Sequence, residues 1–213
     1  SEMCIRDRFQ PDLVSIKSRT NTYEFLWFDS VRGAGKRLFT HNNNAESENS
    51  GTLNAFLSDG FRLGNGSSVD LSVNGNNSVT YVAWCWKAGG AAVSNSDGTI
   101  TSSVSANKDA GFSIVSYTGT GADGTVGHGL DAVPDFIMMK NRDRAVEWIA
   151  KHTMMASGKI MYVNLTDGED TATGSNNGII GNLDNAKTFS LSRSGNSGNY
   201  NNNNVSGEKY IAY

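Results

Sequence analysis

The sequence predicts an all-β protein, with tandem antiparallel β-sandwich modules of the jelly-roll kind and little helix. Three observations carry this. First, one pattern occurs twice: Pro11-Asp-Leu-Val-Ser-Ile-Lys17-Ser-Arg19 returns as Pro134-Asp-Phe-Ile-Met-Met-Lys140-Asn-Arg142, 123 residues further on, and these are the only two prolines of the chain. A tandem repeat fixes a modular organisation before any residue is interpreted. Second, apolar residues alternate over short segments bounded by turn dipeptides, the pattern of half-buried strands. Third, 24 of the 213 residues are Gly, another 24 are Asn, and only 18 % are charged. Gly and Asn adopt positive φ cheaply, so this composition suits tight turns and polar loops rather than helices.

Taken in chain order, Ser1-Glu-Met-Cys-Ile-Arg-Asp-Arg8 matches nothing in the repeat and resembles translated sequencing-adapter read-through, so it is set outside the fold. Its removal takes away Cys4 and leaves Cys85 alone, with no disulfide framework or cysteine-based zinc site. Leu13–Ile16 and Phe136–Met139 are compact apolar runs after Pro-Asp, and proline fits the first position of a strand because it cannot donate to a ladder. Ala45–Leu57 and its loose counterpart after Thr166 are the best helical candidates, each expected to give at most a short turn. Tyr81–Lys87 alternates Val82, Trp84 and Trp86 against Tyr81, Ala83 and Cys85, a strong strand signature. Thr99–Val104 is a weaker strand, and Phe112–Tyr117 a strong one. Asp59-Gly60, Asn65-Gly66, Asn74-Gly75, Asp97-Gly98, Asp123-Gly124 and Asp167-Gly168 mark turns between them.

The repeat stays in register through Glu24/Glu147, Phe25/Trp148, Gly35-Lys36/Gly158-Lys159 and Leu38-Phe39/Met161-Tyr162. It resumes with Phe61-Arg-Leu63/Phe189-Ser-Leu191 and ends with Tyr81-Val-Ala-Trp84/Tyr210-Ile-Ala-Tyr213. The organisation expected is a first sandwich over 9–91, a linker or extra hairpin over 92–110 and a second sandwich over 111–213. Phe112–Val133 precedes the second Pro-Asp but has no equivalent before Pro11, and the second copy stops where the first continues through Trp86. The first copy is therefore expected to lack its opening strand, the second part of its closing strand, and the second to be the better formed.

The net charge of −3 gives no broad attraction to nucleic acid or anionic membrane, and no apolar run approaches the length of a bilayer span, so neither partner is expected. Gly119-Thr-Gly121-Ala-Asp-Gly124 matches a dinucleotide fingerprint in letters, yet the residues that follow cannot start the helix that binding requires. Gly33-Ala-Gly35-Lys36 lacks the first Gly and the Ser or Thr of a phosphate loop, and Gly-Lys recurs at 158–159, which makes it a turn of the scaffold. His41, His128 and His152 lie outside metal spacing and do not recur between copies; exposed loop histidine is the expectation. Asp12/Asp135 and Glu24/Glu147 do recur, which points to structure: Asp at the strand start, Glu paired with Lys17/Lys140 or Arg19/Arg142. Asp167–Asp170 lacks the ligand spacing of a calcium loop. No catalytic, cofactor or metal residues follow from these patterns.

Recognition chemistry fares better. A sugar offers apolar C–H faces and rings of hydroxyls, which suit an aromatic platform beside amides and carboxylates. Trp27, Trp86, Trp148, Tyr200 and Asn202 have that chemistry and are the ligand-binding candidates. Each also has a structural reading, strand tryptophan as core and the Asn201–Asn204 run as a solvated loop.

Tyr81–Gly90, Gly111–Gly119, Thr125–Leu130 and the two Pro-Asp…Lys-x-Arg motifs together resemble a repeated domain of unknown function found in virion structural and tail-fibre-like proteins of marine phages and metagenomic viruses. The resemblance runs from Phe9 to Tyr213. It implies a concanavalin-like β-sandwich repeated along an elongated virion, hence extracellular, surface protein. It further implies adhesion or display, with a host-surface glycan, other virion or fibre subunits and homo-oligomerisation as expected partners, and it carries no catalytic or binding residues. A purely structural spacer and a glycan-cleaving β-sandwich enzyme are the alternatives.

Overall fold

The computed structural model describes residues 3–6, 8–64, 70–75, 78–171, 179–181, 183–192 and 204–213. The first half contributes β1 (Met3–Arg6), β2 (Leu13–Ser18), β3 (Phe25–Asp29), β4 (Lys36–Phe39), β5 (Ser47–Glu48), β6 (Leu53–Leu57), β7 (Gly60–Leu63), α1 (Leu71–Asn74) and β8 (Tyr81–Trp86). The second contributes β9 (Val93–Asn95), β10 (Ser102–Asn107), β11 (Phe112–Thr118), β12 (Gly124–Gly127), β13 (Phe136–Asn141), β14 (Ile149–His152), β15 (Lys159–Tyr162), β16 (Asp170–Thr171), β17 (Ile179–Ile180), β18 (Thr188–Ser192) and β19 (Lys209–Ala212).

These strands form four antiparallel sheets. The first unit has a five-stranded sheet, β5-β4-β3-β2-β8, and a three-stranded sheet, β1-β7-β6; the second has β16-β15-β14-β13-β19-β11-β10-β9 and β12-β18-β17. The two sets correspond strand for strand. β2 and β13 follow the Pro-Asp pairs, β8 and β19 are their antiparallel neighbours, and β7 and β18 carry the Phe-x-Leu repeats. Beyond these matched strands, β11, β10 and β9 have no counterpart among the described residues of the first unit and extend the second sheet beyond β19.

Period-two alternation makes each large sheet apolar on both faces. Val14, Ile16, Leu26 and Phe28 point to a core shared with Leu53, Phe61, Leu63 and Val73. Val115, Tyr117, Ile137, Met139, Tyr210 and Ala212 do the same over Val126, Phe189 and Leu191. The opposite faces of the two large sheets meet each other. Leu13, Leu38 and Trp27 pack with Ile114, Met138, Trp148, Ala150 and Ile211 in a third core. The molecule is therefore a stack of four sheets with three apolar layers, and the middle layer belongs to both units. A polar network seals its rim: Glu46 takes Arg142 through Nε (2.9 Å) and Nη2 (2.8 Å) and Arg32 through Nη1 (3.1 Å), while Arg32 Nε meets Asp29 at 2.5 Å.

Recurrent polar positions have local causes. Gly35 and Gly158 both carry positive φ, +80° and +73°, which explains the doubled Gly-Lys as a turn. Lys17 Nζ donates to the carbonyls of Ser18 (3.0 Å) and Tyr23 (2.9 Å), and Lys140 Nζ to those of Asn141 (2.6 Å) and Arg144 (2.9 Å), so each ties down the turn after its strand. Lys140 is fully buried, and that burial pulls its pKa down to about 8 despite the opposing pull of Glu147. The expected Glu147 ion pair is corrected: its carboxylate accepts from Asn43 Nδ2 (3.0 Å) and Asn164 Nδ2, while Arg142 turns to Glu46.

Other expectations change as well. Met3–Arg6, set outside the fold from sequence, pairs with β7 in the place that β12 takes beside β18. Ala45–Leu57 holds β5 and β6 instead of a helical turn, because Leu53 buries against Phe61 and Leu63. The helix lies at α1, where the Asp70 side chain accepts the Ser72 N–H at 2.8 Å. Ser102–Asn107 forms the strand expected three residues earlier, and Ile100 makes only an isolated bridge to Val126. Within 92–110, β9 and β10 form a hairpin that pairs onto β11.

Candidate functional site

A cleft of about 360 Å³ opens beside the middle layer, beyond Tyr213, between the first residues of β11 and β13. Its walls are ring systems: Trp27 and Trp86 from the first unit, Phe112, Phe136 and Tyr213 from the second. Trp27 and Trp86 lie 6.2 Å apart at 44°, and Tyr213 stands edge-on to Trp27 at 5.1 Å. Trp86 and Phe136 are 39 % and 48 % exposed, so both present ring surface to solvent at the mouth. Alternation puts them there, since both lie on the strand faces turned toward the middle layer but beyond its sealed part.

Polar groups in the cleft are few. Trp27 Nε1 is buried and finds no acceptor among the described residues. An unpaired buried N–H of this kind is unfavourable, and a ligand oxygen would relieve it. Asp135 is exposed at the wall. His128 forms part of the deep lining; burial pushes its pKa down, and its Nδ1 accepts the Leu130 N–H at 3.2 Å. It is 3 % exposed, which overturns the expectation of a loop histidine in solvent. Tyr213 is held from behind, its hydroxyl donating to Asp29 at 2.6 Å, and burial raises its pKa far above the phenol range.

The matching place in the first unit is covered by its own chain. There β8 runs on through Cys85 and Trp86, with Trp86 opposite Leu13. The chain then turns back over Asp12, whose carboxylate accepts the N–H groups of Ala88 (2.8 Å) and Gly90 (3.2 Å) and the Ser30 hydroxyl (2.8 Å). Asp12 is 1 % exposed as a result. Asp135, its repeat partner, stands at the same place on an open wall.

Of the five candidate ligand residues, the structure brings together Trp27 and Trp86. Trp148 lies apart from them: it is fully buried in the middle layer, one residue before β14, with Nε1 donating to the Phe39 carbonyl at 2.7 Å. Tyr200 and Asn202 lie outside the described residues. Their neighbour Asn204 is buried, accepts the Thr120 N–H at 2.8 Å and ties down the loop before β12. Phe136, Phe112 and Asp135 were missed, although Phe136 and Asp135 occupy the repeat positions of Leu13 and Asp12. Among the described residues the lining offers stacking faces, indole donors from Trp27 and Trp86 and the Asp135 carboxylate, a set suited to recognition. Gly119–Gly124 leads into β12, a strand, so no helix meets its glycines.

No curated protein and no solved structure matches the chain significantly. One family model, described as a domain of unknown function, DUF7483, matches residues 2–213 and so spans both units. The chain belongs to this DUF7483 family.

Proposed function

We propose that the protein is a module of an elongated virion surface protein of the tail-fibre kind, acting as a stiff unit for adhesion or display. The shared middle layer is the observation that favours this reading. Two units that bury Trp148, Leu38 and Ile211 against each other bend little at their junction, and tandem repetition of such pairs gives a rod that carries many weak contacts at once. The motif resemblance to marine phage fibre-like proteins supports the virion setting. Antibodies raised against the protein should label surface projections of virus particles; label confined to cell debris would remove the virion reading.

A second reading, that the module itself binds host-surface glycan, is favoured by the cleft. Trp86 and Phe136 offer exposed rings for a sugar face, and Trp27 Nε1 and Asp135 offer one donor and one acceptor. Aromatic faces beside the Asp135 carboxylate suit the binding of a sugar ring. A glycan array probed with the intact protein and with Trp86→Ala decides it: signals lost in the variant support the lectin reading, and silence of both ends it.

A further inference from the structure

The second unit shows its closing strand covered on both sides, and the first does not. β19 is hydrogen-bonded to β13 on one side and to β11 on the other; β8, its repeat counterpart, pairs with β2 alone among the described residues. The side chains record the difference. Tyr210, Ile211 and Ala212 are 0 %, 0 % and 1 % exposed, whereas Tyr81, Val82 and Ala83 are only half-buried and Trp84 is 46 % exposed.

Backbone direction agrees. Arg142 N–H donates to the Lys209 carbonyl (2.9 Å) and Gly119 N–H to the Glu208 carbonyl (2.8 Å), so alternation turns Lys209 and Ile211 to β13 and Tyr210 and Ala212 to β11. In the first unit Arg19 N–H donates to the Thr80 carbonyl (2.8 Å), which turns Thr80, Val82 and Trp84 to β2 and leaves Tyr81 and Ala83 directed outward.

The other edges of the large sheets are blunted. β5 and β16 have two residues each and β9 has three, Val-Ser-Asn. β8 has six, Tyr-Val-Ala-Trp-Cys-Trp, with no charge among them. A long, uncharged, aromatic edge is a pairing site unless something covers it.

We propose that the outward edge of β8 at Tyr81 and Ala83 is a strand-acceptor site, and that its occupant is an extended segment with the chemistry of β11, added antiparallel in the register that β11 keeps on β19. That register sets the Val115 position opposite Ala83 and the Tyr117 position opposite Tyr81, repeating the Tyr117–Tyr210 stack (5.1 Å, 13°). The Ile114 and Phe112 positions then cover Trp84 and Trp86, the two exposed rings of β8. Main-chain bonds supply affinity and the alternating side chains supply selectivity. The site stands whether or not the virion reading holds.

The probe is a synthetic peptide, Gly-Phe-Ser-Ile-Val-Ser-Tyr-Thr-Gly, the sequence of Gly111–Gly119, added to the intact protein. Saturable binding is expected, with slowed amide exchange at Tyr81 and Ala83. N-methylation at the Val115 or Tyr117 position, whose amides face the acceptor, should weaken binding at least about tenfold, as loss of about 1.4 kcal/mol would. N-methylation at the Ser116 position, whose amide faces away, should leave it unchanged. Three results would overturn the proposal: no saturable binding, equal loss from all three methylations, or protection appearing at Tyr210 and Ala212 instead. A peptide-free dimer with protected Tyr81 and Ala83 amides would also overturn it, by assigning the edge to a second copy.

Discussion

β8 and β19 have nearly the same sequence at their start and different surroundings. Tyr81 and Tyr210 do the same local work: the Tyr81 hydroxyl accepts the Gly75 N–H (2.7 Å), and the Tyr210 hydroxyl accepts the Val205 N–H (2.8 Å), each fastening the loop that leads into its strand. Beyond that the strands diverge. β19 lies inside an eight-stranded sheet, while β8 forms the edge of a five-stranded one. Asp12 and Asp135 show the converse, since the first unit covers its aspartate and the second exposes it. Repetition therefore preserves the scaffold, and the two units differ in how much of it is covered.

Substitutions at matched positions should break this comparison by graded amounts. The largest effect is expected in the middle layer: Trp148→Ala should cost about 3–5 kcal/mol, from lost burial and the orphaned Phe39 carbonyl, measured by urea unfolding. Trp86→Ala, at a half-exposed ring, should stay within about 1 kcal/mol. A loss at Trp86 equal to that at Trp148 would contradict the distinction between sealed layer and open cleft.

Next comes the network at the rim. Arg142→Ala leaves Glu46 with Arg32 alone and should cost about 3 kcal/mol in the same measurement. Burial alone would raise the Glu46 pKa, but Arg142 and Arg32 outweigh it and hold the carboxyl below its ordinary range. A depressed folded pKa means that this stabilisation is complete above the unfolded value of 4.5 and is lost as pH falls through the folded value. Stability followed from pH 7 downward should drop more for the native protein than for Glu46→Gln; parallel curves would exclude the pair as a pH-dependent element.

A smaller effect separates the aspartates. Asp12→Asn keeps one acceptor oxygen for what had been three donors and should lose about 1–2 kcal/mol. Asp135→Asn, on the open wall, should stay within about 0.5 kcal/mol. Equal losses would mean that Asp135 has a structural role like that of Asp12.

Much of the scaffold was legible in the sequence. Pro-Asp marked the starts of β2 and β13, alternation gave the correct faces of β8 and β11, and the doubled Gly-Lys was a turn because both glycines need positive φ. The layering was not legible. A strand apolar on both faces, as β2 is with Leu13 on one side and Val14 and Ile16 on the other, announces burial without naming what covers each face. The middle layer joins Leu38 to Trp148 across more than a hundred residues, and no local pattern encodes that contact. For the same reason Trp148 could not be told from Trp27 and Trp86: all three sit in or beside strands, and only the position of the opposite sheet decides which are sealed. β1 was missed because Met3–Arg6 has no sequence likeness to Gly124–Gly127, although each strand flanks a Phe-x-Leu strand.

The claim that β8 is an uncovered counterpart of β19 is tested most directly by residue-resolved amide exchange on the intact protein. Tyr210 and Ala212, bonded to β11, should exchange at least about a hundredfold more slowly than Tyr81 and Ala83, whose amides face outward from an edge. Comparable protection at the two pairs would show that the β8 edge is already covered and would contradict the account.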